Sequence, residues 1–182
     1  DLLRRLDKHP NTQGAIDQGL AGDLGGLRGL CERAASKEIR AMWISFHPQL
    51  VGEDSADVMH LLEQLISALD FSVVSTTHAF PAFAKASVVL PMAAWAEEQG
   101  TYTNFAGRVQ ISNRAVAPPG EAWPLHNMLA GMLGQAGIQV SADPAAIFEW
   151  MSRETPGYQG LDYDSIGNLG CPRAAAAEEV VK

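Results

Sequence analysis

The segment at residues 39–75 constrains the fold most, because it places a helical pattern between two short apolar runs. The first run, IRAMWISF at residues 39–46, is followed by His47-Pro48, and it predicts a strand buried in a parallel sheet. Apolar residues then recur at helical spacing from Val58 to Leu69, and FSVVS at residues 71–75 predicts a second strand. A strand, a helix and a strand in about 37 residues form a βαβ unit, whose crossover is right-handed in nearly all proteins.

A third short strand extends the predicted sheet. Residues 81–86 suit a short helix, and SVVL at residues 87–90 is an apolar run that ends at Pro91. We therefore predict an α/β fold, with an open, mostly parallel sheet and flanking helices. Open α/β sheets bind ligands in the loops that follow their strands, and Thr76, Thr77 and His78 follow the second strand directly. The two hydroxyl groups suit a phosphate or a ribose, and the alternative is a histidine exposed in a turn.

Two other stretches are predicted to be loops. Residues 11–29 hold six glycines, which indicates a structural loop rather than a phosphate cradle, since no strand precedes it. Residues 95–110 (WAEEQGTYTNFAGRVQ) are polar and irregular, with turn residues at Gly100, Asn104 and Gly107. Long ordered loops of this kind are often functional.

The C-terminal third predicts two helices and a glycine-rich tail. Pro124 and Pro144 each precede apolar residues at helical spacing, and proline is favoured at the first helical position. Glycines recur after Thr155, which predicts an extended arm. We divide the chain into an incomplete α/β domain at residues 1–137 and a C-terminal helix with a glycine-rich arm at residues 138–182.

The charge and the cysteine content exclude several classes of protein. Thirteen Lys and Arg against 21 Asp and Glu give a net charge of −8, which argues against nucleic-acid binding. No apolar run approaches the ~20 residues of a membrane span. Cys31 and Cys171 are the only cysteines and the five histidines are scattered, so we predict no metal site, and no iron–sulfur cluster held by this chain alone. Glu97 and Glu98 are adjacent and would diverge on a helix, so no catalytic residue is assigned.

Several motifs in order carry a resemblance to a known family. Residues 86–91 (ASVVLP) and 97–110 (EEQGTYTNFAGRVQ) are similar to the composite A-D-V-V-L-P and E-K-x-G-T-[FY]-x-N-x-E-G-R-x-Q of the molybdopterin oxidoreductase superfamily. Residues 11–15 (NTQGA), 46–48 (FHP) and 118–122 (PPGEA) resemble its N-x-x-G-A loop, its strand-end N-P loop and its P-P-G-E-A segment. The resemblance covers residues 10–137 and implies the α/β sheet layer of that superfamily.

The tail is similar to one branch of this superfamily. TPGYQGL at residues 155–161 and IGNLG at residues 166–170 resemble the ending of the G subunit of bacterial NADH-quinone oxidoreductase, respiratory complex I. That resemblance implies a C-terminal fragment with a structural role in NADH-to-quinone electron transfer and without a redox centre of its own. It implies partner subunits of a respiratory complex, a cytoplasmic location peripheral to the inner membrane, and iron–sulfur clusters only in the missing N-terminal part.

The same resemblance leaves an alternative open, a fragment of a catalytic enzyme of the formate dehydrogenase or nitrate reductase kind. Such an enzyme binds molybdopterin guanine dinucleotide. The matching residues that would line this site, retained or vestigial, are Thr76, Thr77, His78, Gly100, Thr101, Asn104, Gly107 and Arg108. Arg108 is the best candidate for a functional charge, and the alternative is a structural arginine that satisfies loop carbonyl groups.

Three departures from the family pattern bear on this choice. The aspartate of A-D-V-V-L-P is Ser87, the glutamate before Gly-Arg is Ala106, and the asparagine of the N-P loop is His47. Each change removes a group that could bind the dinucleotide or support its loop. This erosion favours a relative that lacks the cofactor.

Overall fold

The structure is a computed structural model that describes residues 9–20, 24–47 and 55–174. These residues fall into two compact units. The sheet unit holds residues 24–47, 55–97 and 117–125, and the hairpin unit holds residues 9–20, 98–116 and 126–174.

The sheet unit is built on three parallel strands in the order β1-β2-β3. They span Ala41–Phe46, Phe71–Thr76 and Val88–Pro91. The helix α3, Ser55–Ala68, connects β1 to β2, and a 3₁₀ helix, Pro81–Lys85, connects β2 to β3. The register pairs Ala41 with Phe71 and Val73 with Val88. The predicted βαβ unit and the α/β fold class are confirmed.

Aromatic and aliphatic side chains from every layer fill the core of the sheet unit. Phe46, Phe80 and Phe83 pack edge to face, with ring centroids 5.6–6.3 Å apart. The buried members of this core are Phe46, Leu62, Ile66, Val74, Ala82 and Phe83. At the sheet edge, Val88 and Val89 of β3 are exposed.

The prediction of a loop at residues 11–29 is wrong, because this stretch contains two helices. The helix α1 spans Thr12–Asp17, and α2 spans Leu24–Ala35. In α2, Leu27 packs against the core of the sheet unit and Ala34 is fully buried. An interior glycine costs a helix about 1 kcal/mol relative to alanine, and burial of the apolar face offsets that cost.

The hairpin unit contains regular strands where the sequence predicts an irregular loop. Strands β4, Gly100–Thr103, and β5, Arg108–Ser112, pair antiparallel. Three helices follow β5 along the chain: α4 at Leu125–Gln135, α5 at Pro144–Glu154 and α6 at Tyr163–Ile166. The predicted helices after Pro124 and Pro144 are therefore confirmed.

The glycine-rich tail folds back into the hairpin unit in place of an extended arm. The two-residue strand β6, Cys171–Pro172, pairs antiparallel with β5. Tyr158 and Ile166 of the tail join Val109 and Phe148 in a second buried core. Gly170 has φ +72°, and a Cβ placed there would lie 2.5 Å from the carbonyl oxygen of Val109. Only glycine allows this close approach.

A buried polar network ties the tail to α1 and β4. The Tyr158 hydroxyl lies 2.8 Å from Asp17 Oδ2 and 2.8 Å from Thr103 Oγ1, and Tyr158 is 1% exposed. Arg173 Nε lies 2.8 Å from the same carboxylate oxygen. Burial raises the pKa of Tyr158 to about 12, so the phenol stays protonated and donates a hydrogen bond to Asp17.

The helices of the fold were also compared with the requirements of a membrane span. Within residues 9–20, 24–47 and 55–174, no helix combines the length and the apolar character that crossing a bilayer requires.

Two tyrosines of the hairpin unit are expected to respond differently to loss of the hydroxyl. Tyr158→Phe removes the buried hydrogen bond to Thr103 and the partly buried one to Asp17, and we expect it to lower the free energy of unfolding by about 1–3 kcal/mol. The hydroxyl of Tyr163 is buried without a hydrogen-bond partner among the described residues, so Tyr163→Phe is the matched control and should be neutral or stabilising. Urea denaturation of both variants measures the difference. Equal losses would contradict the assigned role of the Tyr158 hydroxyl.

Candidate functional site

The eight predicted site residues divide between the two units. Thr76, Thr77 and His78 lie in the sheet unit, at the carboxyl end of β2. The other five lie on the β4–β5 hairpin of the hairpin unit: Gly100, Thr101, Asn104, Gly107 and Arg108.

The turn after β2 is closed by its own side chains. Thr76 is buried, and its Oγ1 donates to the carbonyl of His78 at 3.0 Å and accepts from the amide of His78 at 3.3 Å. Thr77 Oγ1 lies 2.9 Å from His78 Nδ1. A hydroxyl that bonds its own backbone two residues on stabilises a tight turn. The Thr76 hydroxyl is thus engaged in shaping the loop.

A hydrogen-bonded row of side chains near the same strand ends was missed by sequence reasoning. Trp43 Nε1 donates to Ser75 Oγ at 3.0 Å, and Ser75 Oγ donates to Ser45 Oγ at 3.1 Å. Ser45 Oγ in turn lies 3.3 Å from Met92 Sδ. The spacing of Trp43 and Ser45, two residues apart on one strand, places them on one face and is the signal that could have revealed this row.

His47 directly follows β1 and is half-buried. Burial lowers the pKa of His47 below its ordinary value of 6.5. The imidazole is therefore neutral near pH 7, and it supplies no positive charge for a phosphate at this strand end.

The β4–β5 turn is an asparagine-based loop. Asn104 Oδ1 accepts from the amides of Ala106 at 2.9 Å and Arg108 at 3.1 Å. Gly107 has φ +72°, and its amide donates to the Asn104 carbonyl at 2.8 Å. Glycine occupies this left-handed conformation without strain. The family-like Asn104, Gly107 and Arg108 are therefore the residues that make the turn.

Arg108 binds the tail of its own unit. Its Nη1 donates to the carbonyl of Gly170 at 2.7 Å and to that of Leu169 at 3.3 Å. These contacts lie next to the β5–β6 pairing, where Arg108 is opposite Pro172. The side chain thus acts as a clamp between the hairpin and the returning tail. This contact agrees with the alternative stated for the sequence, a structural arginine that satisfies loop carbonyl groups.

Gly100 and Thr101 are ordinary strand residues of β4. They pair with Ser112 and Ile111 across the hairpin. Their backbone groups therefore belong to the antiparallel ladder.

Asn11 links α1 to the start of the turn. Its Oδ1 accepts from the Thr103 amide at 2.7 Å, and a Cβ at Gly14 would overlap the same oxygen. The Asn11 amide fills the space that a side chain at position 14 would need, which explains the glycine of the N-x-x-G-A segment.

The donor set was compared with what a phosphate-bearing cofactor needs. Hydroxyl, amide and guanidinium donors suit such a group, but the Thr76 hydroxyl, Asn104 Nδ2 and Arg108 Nη1 all donate to groups of their own unit. Among the described residues, no group of three or more His, Cys, Asp or Glu side chains could hold a metal ion. The polar groups present fit internal clamps better than a preformed phosphate cradle.

Comparison with known proteins shows the family. The family model for molybdopterin oxidoreductases matches residues 12–133. The chain is 38% identical over 126 residues to the F420-dependent formate dehydrogenase 2 subunit alpha of Methanococcus maripaludis, covering 65% of this chain and 18% of that protein. It is 28% identical over 207 aligned positions to the second NADH-quinone oxidoreductase G subunit of Rhizobium meliloti, covering 93% of this chain and 24% of that protein.

A solved structure shares the fold. The acetylene hydratase from Pelobacter acetylenicus superimposes with a TM-score of 0.52 at 16% identity, over 76% of this chain and 19% of that one. The chain thus spans about a fifth of the length of the curated relatives it matches.

Gly14 and Gly29 provide a test of the Asn11 link. Gly14→Ala would displace the Asn11 amide and leave the buried Thr103 amide unpaired, so we expect a loss of about 1–3 kcal/mol in the free energy of unfolding. A methyl group added at Gly29, in α2, would have no atom within 4 Å; Gly29→Ala is the control and should stabilise by about 0.5–1 kcal/mol. Urea denaturation reports both values. Stabilisation by Gly14→Ala would show that the Asn11 contact contributes nothing.

Proposed function

This chain belongs to the molybdopterin oxidoreductase family, and we propose that it is part of a G subunit of an NADH-quinone oxidoreductase. In that complex it serves as a structural domain of an electron-transfer assembly. The observation that carries this proposal is the internal use of Asn104 and Arg108, the side chains most suited to a cofactor, as hairpin and tail clamps. The three departures at His47, Ser87 and Ala106 support the same role.

The proposal extends to cofactors and partners. We propose that residues 1–182 carry no redox centre, and that any iron–sulfur clusters belong to parts of the full-length polypeptide outside this chain. The partners are other subunits of the respiratory complex, through which the protein is held at the inner membrane. The relative named as a G subunit aligns with 93% of this chain, so the similarity extends into the tail that Arg108 clamps.

A second candidate function is a formate dehydrogenase that binds molybdopterin guanine dinucleotide. The observation in its favour is the higher identity, 38%, to a formate dehydrogenase alpha subunit. In that case the polar residues of the hairpin unit that match the family pattern, Asn104 and Arg108, would contact the cofactor. The guanidinium of the exposed Arg108 would then contact the cofactor in addition to the carbonyls of the tail.

Metal content and substrate use separate the two candidates. The full-length protein is purified from its own organism with its partner subunits, and molybdenum and tungsten are measured per polypeptide. We expect NADH-dependent quinone reduction without stoichiometric molybdenum or tungsten. A stoichiometric metal together with formate oxidation would overturn the structural role and support the alternative.

Replacement of Arg108 tests the clamp directly in the assembled protein. Arg108→Ala loses two hydrogen bonds to tail carbonyls, so we expect the thermal midpoint to fall while the turnover of assembled complexes is unchanged. Arg114→Ala removes the same charge from an exposed position of the same unit and is the control, with no expected effect on the thermal midpoint. Lost turnover or lost metal at an unchanged thermal midpoint would instead place Arg108 at a cofactor.

A further inference from the structure

The helix α4 presents an apolar stripe without a buried residue. Met128, Leu129, Met132 and Leu133 recur at the three- and four-residue spacing of one helical face, which normally faces a core. Yet none of the eleven residues of Leu125–Gln135 is buried. Leu129 is 38% exposed and Met132 is 47% exposed.

The chemistry of this helix is that of an interface. Its sequence, LHNMLAGMLGQ, contains no Asp, Glu, Lys or Arg, whereas a helix that faces water usually carries charges on its outer side. The apolar residues Ile138 and Val140, which follow the helix in sequence, are exposed as well. Exposed apolar side chains gathered in one short segment are typical of a contact surface. We name the exposed side chains of Leu129, Met132, Ile138 and Val140 the α4 face.

We infer that the α4 face docks against a part of the same polypeptide that lies outside these 182 residues. The family model matches through residue 133, so nearly all of α4 lies in the region that the family shares. The relatives are named as subunits of different oxidoreductases, an alpha subunit and a G subunit. What they have in common is a polypeptide much longer than the part matched here, since this chain covers only 18% and 24% of their lengths. The part of each relative's own polypeptide that this chain does not cover could occupy the α4 face in both proteins.

The absence of Asp, Glu, Lys and Arg from α4 indicates the chemistry of the surface that covers it. A helix without charged residues offers no partner for an acidic or basic surface, and it offers no basic groups to anionic lipid headgroups. The occupant is therefore an apolar, uncharged face of the remaining polypeptide. This inference holds for either of the two electron-transfer functions, because it depends on the length of the polypeptide and not on the cofactor.

Photo-crosslinking in the full-length protein tests the inference. Benzoylphenylalanine is introduced at Leu129 or at Met132, where it keeps the position apolar, and the protein is irradiated with its natural partner subunits present. The control position is Glu149 of α5, an exposed residue that pairs with Arg153. We expect positions 129 and 132, and not position 149, to yield crosslinked peptides from the same polypeptide outside residues 1–182.

Each other outcome counts against the inference. A product of twice the polypeptide mass would identify a second copy as the occupant, and a peptide from another subunit would identify a partner protein. No crosslink at positions 129 and 132, or crosslinks confined to residues 1–182, would leave the face without the proposed partner and overturn it.

A charge placed on the α4 face gives a second measurement. In the full-length protein, Leu129→Lys would bury an unpaired charge, so we expect the thermal midpoint to fall clearly. Gln135→Lys, at the exposed end of the same helix, is the matched control and should leave the midpoint unchanged. An unchanged midpoint for Leu129→Lys would show that the side chain stays in water, contrary to the inference.

Discussion

The contact on which the hairpin unit depends is the largely shielded carboxylate of Asp17, 12% exposed and shared by Tyr158 and Arg173. These residues are brought together from α1 and from both ends of the tail. A carboxylate withdrawn from water is costly unless it is paired and hydrogen-bonded. Here the Arg173 guanidinium forms the ion pair and the Tyr158 phenol donates the hydrogen bond. The same phenol reaches Thr103 of β4. One polar centre therefore holds three segments that are distant in sequence, and the apolar cluster around Val109 and Phe148 packs beside it.

The sheet unit was predictable from its sequence because its signals are local. The apolar strands β1 and β2 and the periodic helix α3 can each be recognised from the pattern of about a dozen residues, the range over which periodicity can be read. The hairpin unit was less predictable. Gly100, Thr101 and Thr103 acquire strand structure through pairing with β5. The tail is held in its path by Tyr158, whose hydroxyl bonds Asp17, 141 residues away in sequence. Glycine content misled the interpretation of α2, whose helix is stabilised by tertiary packing of Leu27 and Ala34.

At the candidate site, the sequence pattern located the motif residues but did not reveal their hydrogen-bond partners. The motif residues were located by their resemblance to the family, and the family match over residues 12–133 agrees with it. What the pattern does not encode is the partner of each polar atom. Arg108 meets the carbonyl of Gly170, and Asn11 meets the amide of Thr103, contacts that exist only once the tail and α1 have packed on the hairpin. The role of a motif residue therefore depends on segments that lie far from the motif.

The interleaving of the two units has a consequence for synthesis of the chain. All residues of the sheet unit have been made once residue 125 is reached, whereas the hairpin unit combines residues 9–20 with residues as late as 174. Domains generally fold as units as the chain emerges. The ion pair between Asp17 and Arg173 therefore cannot form until residue 173 has been made. By then all three strands of the βαβ sheet, which lie between these two residues in sequence, have been synthesised. During translation, the sheet unit is therefore completed first, and the hairpin unit, whose residues flank it in sequence, is completed last.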